Sequence, residues 1–131
     1  MPHLRAGLVA AALLLATGAA GETVDRTVKA NARTAIGGYF SYWLDTCGRG
    51  EIPDVRVRQR PANGTLAVQM HETTLGSDTR CPGMRVRGPI VVYTPNRGFR
   101  GADEAVVDVP VTSNDARAPT IRTYTYRIRV E

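Results

Sequence analysis

The stretch Thr123-Tyr124-Thr125-Tyr126-Arg127-Ile128-Arg129-Val130 decides the fold class. Its apolar members, Tyr124, Tyr126, Ile128 and Val130, occupy every second position, and Thr123, Thr125, Arg127 and Arg129 fill the gaps. Successive strand side chains point to opposite faces, so this alternation describes a strand with one buried face and one wet face. A helix would need apolar residues three and four apart, and no segment after residue 20 sustains that period. The expected class is all-β.

The same period spreads outward from that strand. Ala105, Val107, Val109 and Val111 form an inward face just upstream, and Pro110, lacking a backbone donor, places that strand at an edge or a bend. Residues 112–120 read as the turn between the two. Further back, Met84 and Val86 alternate with Arg85 and Arg87; Gly88-Pro89 is expected to break the run, and Ile90-Val91-Val92-Tyr93 resumes it. Val55, Val57 and Gln59 alternate with Arg56, Arg58 and Arg60. Pro61-Ala62-Asn63-Gly64 is expected to close a hairpin onto Leu66, Val68 and Met70, all facing inward. Residues 71–80 read as a polar loop running to Cys81. Residues 23–30 and the aromatic-rich 35–44 complete about seven strands, expected to be antiparallel, the number and spacing of a sandwich, with a barrel of similar size as the competing closure.

Residues 1–20, MPHLRAGLVAAALLLATGAA, have the order of a secretory signal: Arg5 near the start, an apolar run from Leu8 to Leu15, then small residues. That run is shorter than the roughly 20 apolar residues a membrane span needs. The expected organisation is a leader at 1–20, cleaved near Ala19 or Ala20, and one domain at 21–131. The expected location is periplasmic or secreted, with no transmembrane anchor once the leader is removed. Cys47 and Cys81 are the only cysteines, and in an exported protein they are expected to form a disulfide.

Of the +5 formal charge, Arg5 belongs to the leader and Lys29 is the only lysine. Arg56, Arg58, Arg85, Arg87, Arg127 and Arg129 all fall on outward positions. Arg56, Arg58, Arg127 and Arg129 are the candidate binding face, for an envelope glycan or protein; a solvated face interleaved with acids and threonines is the plainer reading. Nucleic acid is not an expected partner. Tyr39-Phe40-Ser41-Tyr42-Trp43 could stack on a glycan, but core packing beside Cys47 is the commoner use of such a segment.

Catalytic chemistry finds little purchase. His71 is the only histidine beyond the leader, and no nucleophile-elbow motif surrounds Ser41, Ser77 or Ser113. Asp103 and Glu104 are adjacent on a strand and so face opposite ways, unlike paired glycosidase carboxylates. Gly98-Phe99-Arg100-Gly101 lacks the following helix of a phosphate loop. The expectation is a protein with no catalytic, cofactor or metal residues.

Two motifs carry a resemblance: Pro61-Ala62-Asn63-Gly64-Thr65-Leu66, and Val92-Tyr93-Thr94-Pro95-Asn96-Arg97-Gly98-Phe99-Arg100-Gly101-Ala102-Asp103. Over roughly residues 52–130 the chain resembles the bacterial Ig-like and cadherin-like domains of secreted adhesins. The resemblance implies an Ig-like β-sandwich acting as a spacer or binding module. It also implies framework roles for Tyr93, Pro95, Gly98, Phe99, Gly101 and Asp103. Pro95 would fix the turn, Gly98 and Gly101 would take conformations closed to other residues, Phe99 would plug the open end of the core, and Asp103 would accept backbone N–H bonds. In some such domains acids near this arch bind calcium; here Asp103, Glu104, Asp108 and Asp115 are a thin set for it. The strand after Asp103 carries Ala105 and Val107 where the family usually has aromatics, so core volume is expected from Tyr124, Tyr126 and Trp43. The functional expectation is a noncatalytic binding or structural module of the cell envelope, with an inhibitor or accessory subunit of a periplasmic enzyme as the alternative.

Overall fold

The computed structural model describes residues 21–111, 118 and 120–131. Residues 1–20, expected to be a leader, and most of residues 112–120, expected to be a turn, with Ser113 and Asp115, lie outside the described residues. Seven strands run in order: β1 (Gly21–Val28), β2 (Thr34–Gly38), β3 (Arg56–Gln59), β4 (Gly64–Thr74), β5 (Arg85–Pro95), β6 (Gly101–Val111) and β7 (Thr120–Val130). They form two sheets, β1-β7-β6-β3 and β2-β5-β4, and no helix occurs among the described residues. The molecule is an all-β, two-sheet sandwich.

The alternation that decides the class also builds the core. Tyr126, Ile128 and Val130 of β7 and Ala105, Val107 and Val109 of β6 are buried against Val91 and Tyr93 of β5, Ile36 of β2 and Val28 of β1. Each large apolar side chain so buried contributes roughly 1.5–3 kcal/mol against the entropy of ordering the chain. Pro110 lies past the end of β3, which pairs with β6 only as far as Asp108, so the missing donor falls where β6 is an edge. Val111, at the end of β6, is exposed.

Several expectations about partners and ends are corrected. Residues 55–70 do not form a hairpin: β3 pairs with β6 and β4 with β5, so the Pro61–Gly64 turn carries the chain from one sheet to the other. Val68 and Met70 have the inward parity of Leu66, yet β4 is a sheet edge and they remain 37% and 44% exposed. β4 continues through His71 to Thr74, shortening the expected loop. β5 runs through Gly88-Pro89 without a break. The Pro89 carbonyl accepts the Tyr39 N–H at 3.0 Å. A strand residue's N and O point the same way, so the missing N–H also faces that side, where β2 has already ended. The pairing of β1 with β7 is parallel, whereas the other strand pairings are antiparallel.

The aromatic segment leaves the sheet after Gly38, so residues 39–44 are not strand. Its backbone finds partners in a small excursion of its own: the Trp43 N–H donates to Gly48 O at 2.9 Å and Gly50 N–H to Ser41 O at 3.1 Å. The Cys47–Cys81 disulfide, Cα atoms 5.6 Å apart, pins this excursion to the β4–β5 loop. Closing a loop of 34 residues stabilises the fold by roughly 3 to 4 kcal/mol in the chain-entropy model. A disulfide belongs to an oxidising, non-cytoplasmic compartment. Among the described residues no helix is long and apolar enough to cross a membrane.

Candidate functional site

The two ends of the sandwich are built from different chemistry. At one end the two sequence motifs meet on Asp103. Its buried carboxylate accepts the Ala62 N–H at Oδ1 and the Asn63 N–H at Oδ2, both at 3.0 Å, and the Tyr93 hydroxyl at 2.7 Å. A fourth donor, the N–H of Glu104, reaches Oδ1 at 2.9 Å. The carboxylate therefore clamps the β3–β4 turn, β5 and β6 together, rather than bracing its own arch. Burial, and then the bond to Asp103, raise the Tyr93 hydroxyl well above tyrosine's ordinary pKa of 10.0. Gly64 is required here because a Cβ would stand 2.6 Å from Thr94 O and 2.7 Å from the Tyr93 ring.

The arch that follows is framework as well. Gly98 and Gly101 have φ of +77° and +132°, conformations that suit glycine. Phe99 packs against the core and Pro95 is buried. The Gly98 N–H donates to Asn31 Oδ1 at 2.8 Å, fastening the arch to the β1–β2 turn. With four donors on Asp103, the clamp's carboxylate is already engaged, and no group of three or more metal-binding side chains occurs among the described residues. Asp103 is buried and Glu104 exposed, on opposite faces of β6.

Arg56 and Arg58 on β3 and Arg127 and Arg129 on β7 share one sheet, but β6 lies between them. Glu104 of β6 stands opposite Arg127, and Asp25 of β1 flanks that arginine on the other side, with its Oδ1 3.1 Å from Arg127 Nε. Asp108 holds Arg58 at 2.8 Å and accepts the Thr123 hydroxyl at 2.7 Å; Asp54 holds Arg56 at 2.8 Å. Arg85 pairs with Glu72 at 2.9 Å on the other sheet, where Arg87 is exposed. Acids thus stand among the arginines in both directions across the sheet. His71 is exposed on β4, opposite Gly88, and Ser41 lies in the 39–54 connection.

The opposite end holds an open cleft of about 530 Å³. Tyr39, Phe40, Trp43 and Ile52 come from the 39–54 connection, Val109 and Val111 from β6, and Tyr124 from β7. Glu51 and Asp54 line it too, and among the described residues no arginine or lysine does. Trp43 is 37% exposed and Ile52 48%. The expectation that Trp43 supplies core volume beside Cys47 is therefore corrected: Tyr126 fills the core, Tyr124 is half-buried at its margin, and Trp43 borders the cleft. Tyr39 links the cleft to the interior through a short hydrogen bond between its hydroxyl and that of Tyr126. Burial, then that bond, push the Tyr39 hydroxyl far above its ordinary pKa. Burial likewise raises Tyr126, outweighing the opposing influence of Tyr39 and Arg26.

Sequence reading singled out the aromatics of 39–43 but missed Glu51, Ile52, Asp54, Val109 and Tyr124 as their neighbours. One signal was available: the connection from β2 to β3 is much longer than the usual loop of about 4–6 residues, and long ordered loops tend to carry function. No family model, curated protein or solved structure matches the chain.

Proposed function

We propose that the chain is an exported, noncatalytic binding module of the cell envelope, periplasmic or secreted, built as an Ig-like or cadherin-like sandwich. The strand order supports that family reading: β2-β5-β4 against β7-β6-β3 matches the B-E-D and G-F-C order of Ig domains, with β1 added beside β7. The motif residues support it as well, since they converge on one clamp. The observation that carries the binding function is the contrast in occupancy. A cleft of about 610 Å³ adjoins the Asp103 end, but the carboxylate there is satisfied within the fold, while the rings of the 39–54 cleft stand open in a concavity of about 530 Å³. The test is an amide-shift titration of the disulfide-bonded protein with soluble envelope fractions. Shifts clustered at residues 39–54, 109–111 and 124 are expected; saturable binding with no shift in those segments would sink the reading. Intact mass of exported material, expected to lack residues 1–20, tests the leader.

A second reading, an inhibitor or accessory subunit of a periplasmic enzyme, draws on β4. This strand has 11 residues, an edge that is unpaired among the described residues, and exposed Val68 and Met70, the features through which a sheet accepts another protein's strand. Shifts confined to β4 on adding envelope protein would favour it.

A further inference from the structure

Among the described residues four strands stand at sheet edges, and three of them are blunted. β1 carries Glu22, Asp25 and Arg26; β2 has five residues and a register shift; β3 has four residues, a register shift, Arg56 and Arg58. Charge, short length and bulges are the devices that stop a sheet edge from pairing with another chain. β4 uses none of them. Its 11 residues keep register with β5 from Gly64↔Pro95 to Thr74↔Arg85, without proline, arginine or lysine. Its one acid, Glu72, is held by Arg85 at 2.9 Å.

The hydrogen bonds at the two ends of this ladder fix which way the β4 backbone points. The Asn96 N–H donates to Asn63 O and the Leu75 N–H to Met84 O, each at 2.8 Å and each one step beyond the paired residues. Antiparallel pairs alternate between bonded and non-bonded, so the odd-numbered residues of β4 bond to β5. The N–H and C=O groups of Leu66, Val68, Met70 and Glu72 therefore face the edge, where no described strand pairs with them. We propose that β4 pairs antiparallel with β4 of a second copy of this chain, about a two-fold axis at Gln69. Gln69 is the midpoint of Gly64–Thr74, so this register pairs the whole strand with itself. Edge-facing residues then meet edge-facing residues, as antiparallel bonding requires. Val68 meets Met70 of the second copy, on both sides of the axis, which covers apolar side chains now 37% and 44% exposed. Thr65 meets Thr73, a favourable cross-strand pair, and the two Gln69 amides can exchange hydrogen bonds. The Glu72 carboxylates stay about 20 Å apart at about 3.4 Å per residue. A chain of +5 formal charge thus meets its copy along a strand without basic residues. Pairing at β4 is independent of the 39–54 cleft, and it gives the assembly two such clefts.

Sedimentation of the disulfide-bonded protein is expected to show a monomer–dimer equilibrium between about 10 µM and 1 mM, the range in which a small interface associates. Amide exchange at Leu66, Val68, Met70 and Glu72 should slow severalfold as the dimer forms, while Ala67 and Gln69, bonded to β5, stay protected throughout. Met70→Lys, a change at an exposed position, is expected to keep the thermal midpoint of dilute protein and abolish the dimer. Register is read with single added cysteines, since both native thiols are in the disulfide. Gln69→Cys puts two thiols at a non-bonded pair, Cα atoms about 4.5 Å apart, and should cross-link on mild oxidation; Ala67→Cys, opposite His71, should not. A monomer at every concentration would overturn the pairing, as would a dimer that survives Met70→Lys or cross-links equally at both positions. Protection of the four edge amides in dilute monomer would overturn it too, since the edge would then be covered within the chain. Protection gained only on adding another envelope protein would assign the edge to a foreign strand and overturn self-pairing.

Discussion

The two ends of β6 show how one strand serves two purposes. Asp103 and Val109 lie roughly 20 Å apart at about 3.3 Å per residue. At Asp103 the chain buries a charge and surrounds it with donors; at Val109 it lines an open aromatic cleft. Burying a carboxylate is tolerable only when it is fully hydrogen-bonded, so Asp103 itself has no unmet valence to offer a ligand. The second end leaves apolar and aromatic area in water, which costs stability and is regained only when something fills it. Chemically richer residues therefore hold the fold together here, and the plainer ones form the surface open to a partner.

The largest expected effect tests the closed end. Asp103→Ala would remove the acceptor of three backbone donors and the Tyr93 hydroxyl, at about 1–3 kcal/mol for each one left buried, so a loss of about 4 kcal/mol or more is expected in urea denaturation. A loss under about 1 kcal/mol would mean that the clamp is not what joins the sheets. Next comes the disulfide. Cys47→Ser is expected to cost about 2 to 4 kcal/mol. Because Cys47 pins the cleft's excursion, amide exchange should rise more in residues 39–54 than in residues 61–64. Equal increases at the two ends would erase the distinction between them.

A pH series sharpens the comparison. Tyr93 has a folded-state pKa raised above tyrosine's ordinary 10.0, so the stabilisation it represents is complete below about pH 10 and is lost as pH climbs toward the folded value. Each such tyrosine can contribute up to about 1.4 kcal/mol per pH unit in that window. Tyr93→Phe should flatten the alkaline slope by about one proton's worth, leaving the part due to Tyr39 and Tyr126. An unchanged slope would show that Tyr93 ionises without opening the clamp. Smaller still is Trp43→Ala, expected to shift unfolding by only about 1 kcal/mol because the ring is already 37% exposed, while ligand binding at the cleft is lost.

Periodicity in the sequence made the faces of β6 and β7 legible, because burial acts on every second residue whichever strand lies alongside. It could not say which strand lies alongside. The Val55–Met70 stretch reads as a hairpin for that reason, and the buried Asp103, which holds the turn where the chain changes sheets, is too far away in sequence for a local pattern to reveal. Val68 and Met70 likewise show the right parity for burial but stand at an edge where the facing sheet stops, a fact of sheet width alone. The motif residues of the Asp103 end were legible because turn chemistry is local. The cleft was legible only as an aromatic cluster; Glu51, Asp54, Val109 and Tyr124 join it through tertiary closure.

The smallest expected effect concerns the arginines and whether they form a second binding region. On the outer face of β1-β7-β6-β3, Arg127 stands between Asp25 and Glu104, and Arg58 is held by Asp108. Neighbouring strands are about 4.8 Å apart. Arg58 and Arg127 therefore each have an opposite charge well inside the screening length of about 8–10 Å, which weakens the attraction this face offers a distant polyanion. Exposed pairs of this kind contribute about 0–1 kcal/mol, so Arg127→Ala should leave stability almost unchanged. Retention on an anionic polysaccharide column should be slight and confined to low salt, and the Arg56→Glu, Arg58→Glu, Arg127→Glu variant should elute close to the unaltered protein at about 0.15 M salt. Retention that persists at that ionic strength and disappears in the variant would move the binding surface from the aromatic end to this sheet face, and would make the open cleft an incidental gap in packing.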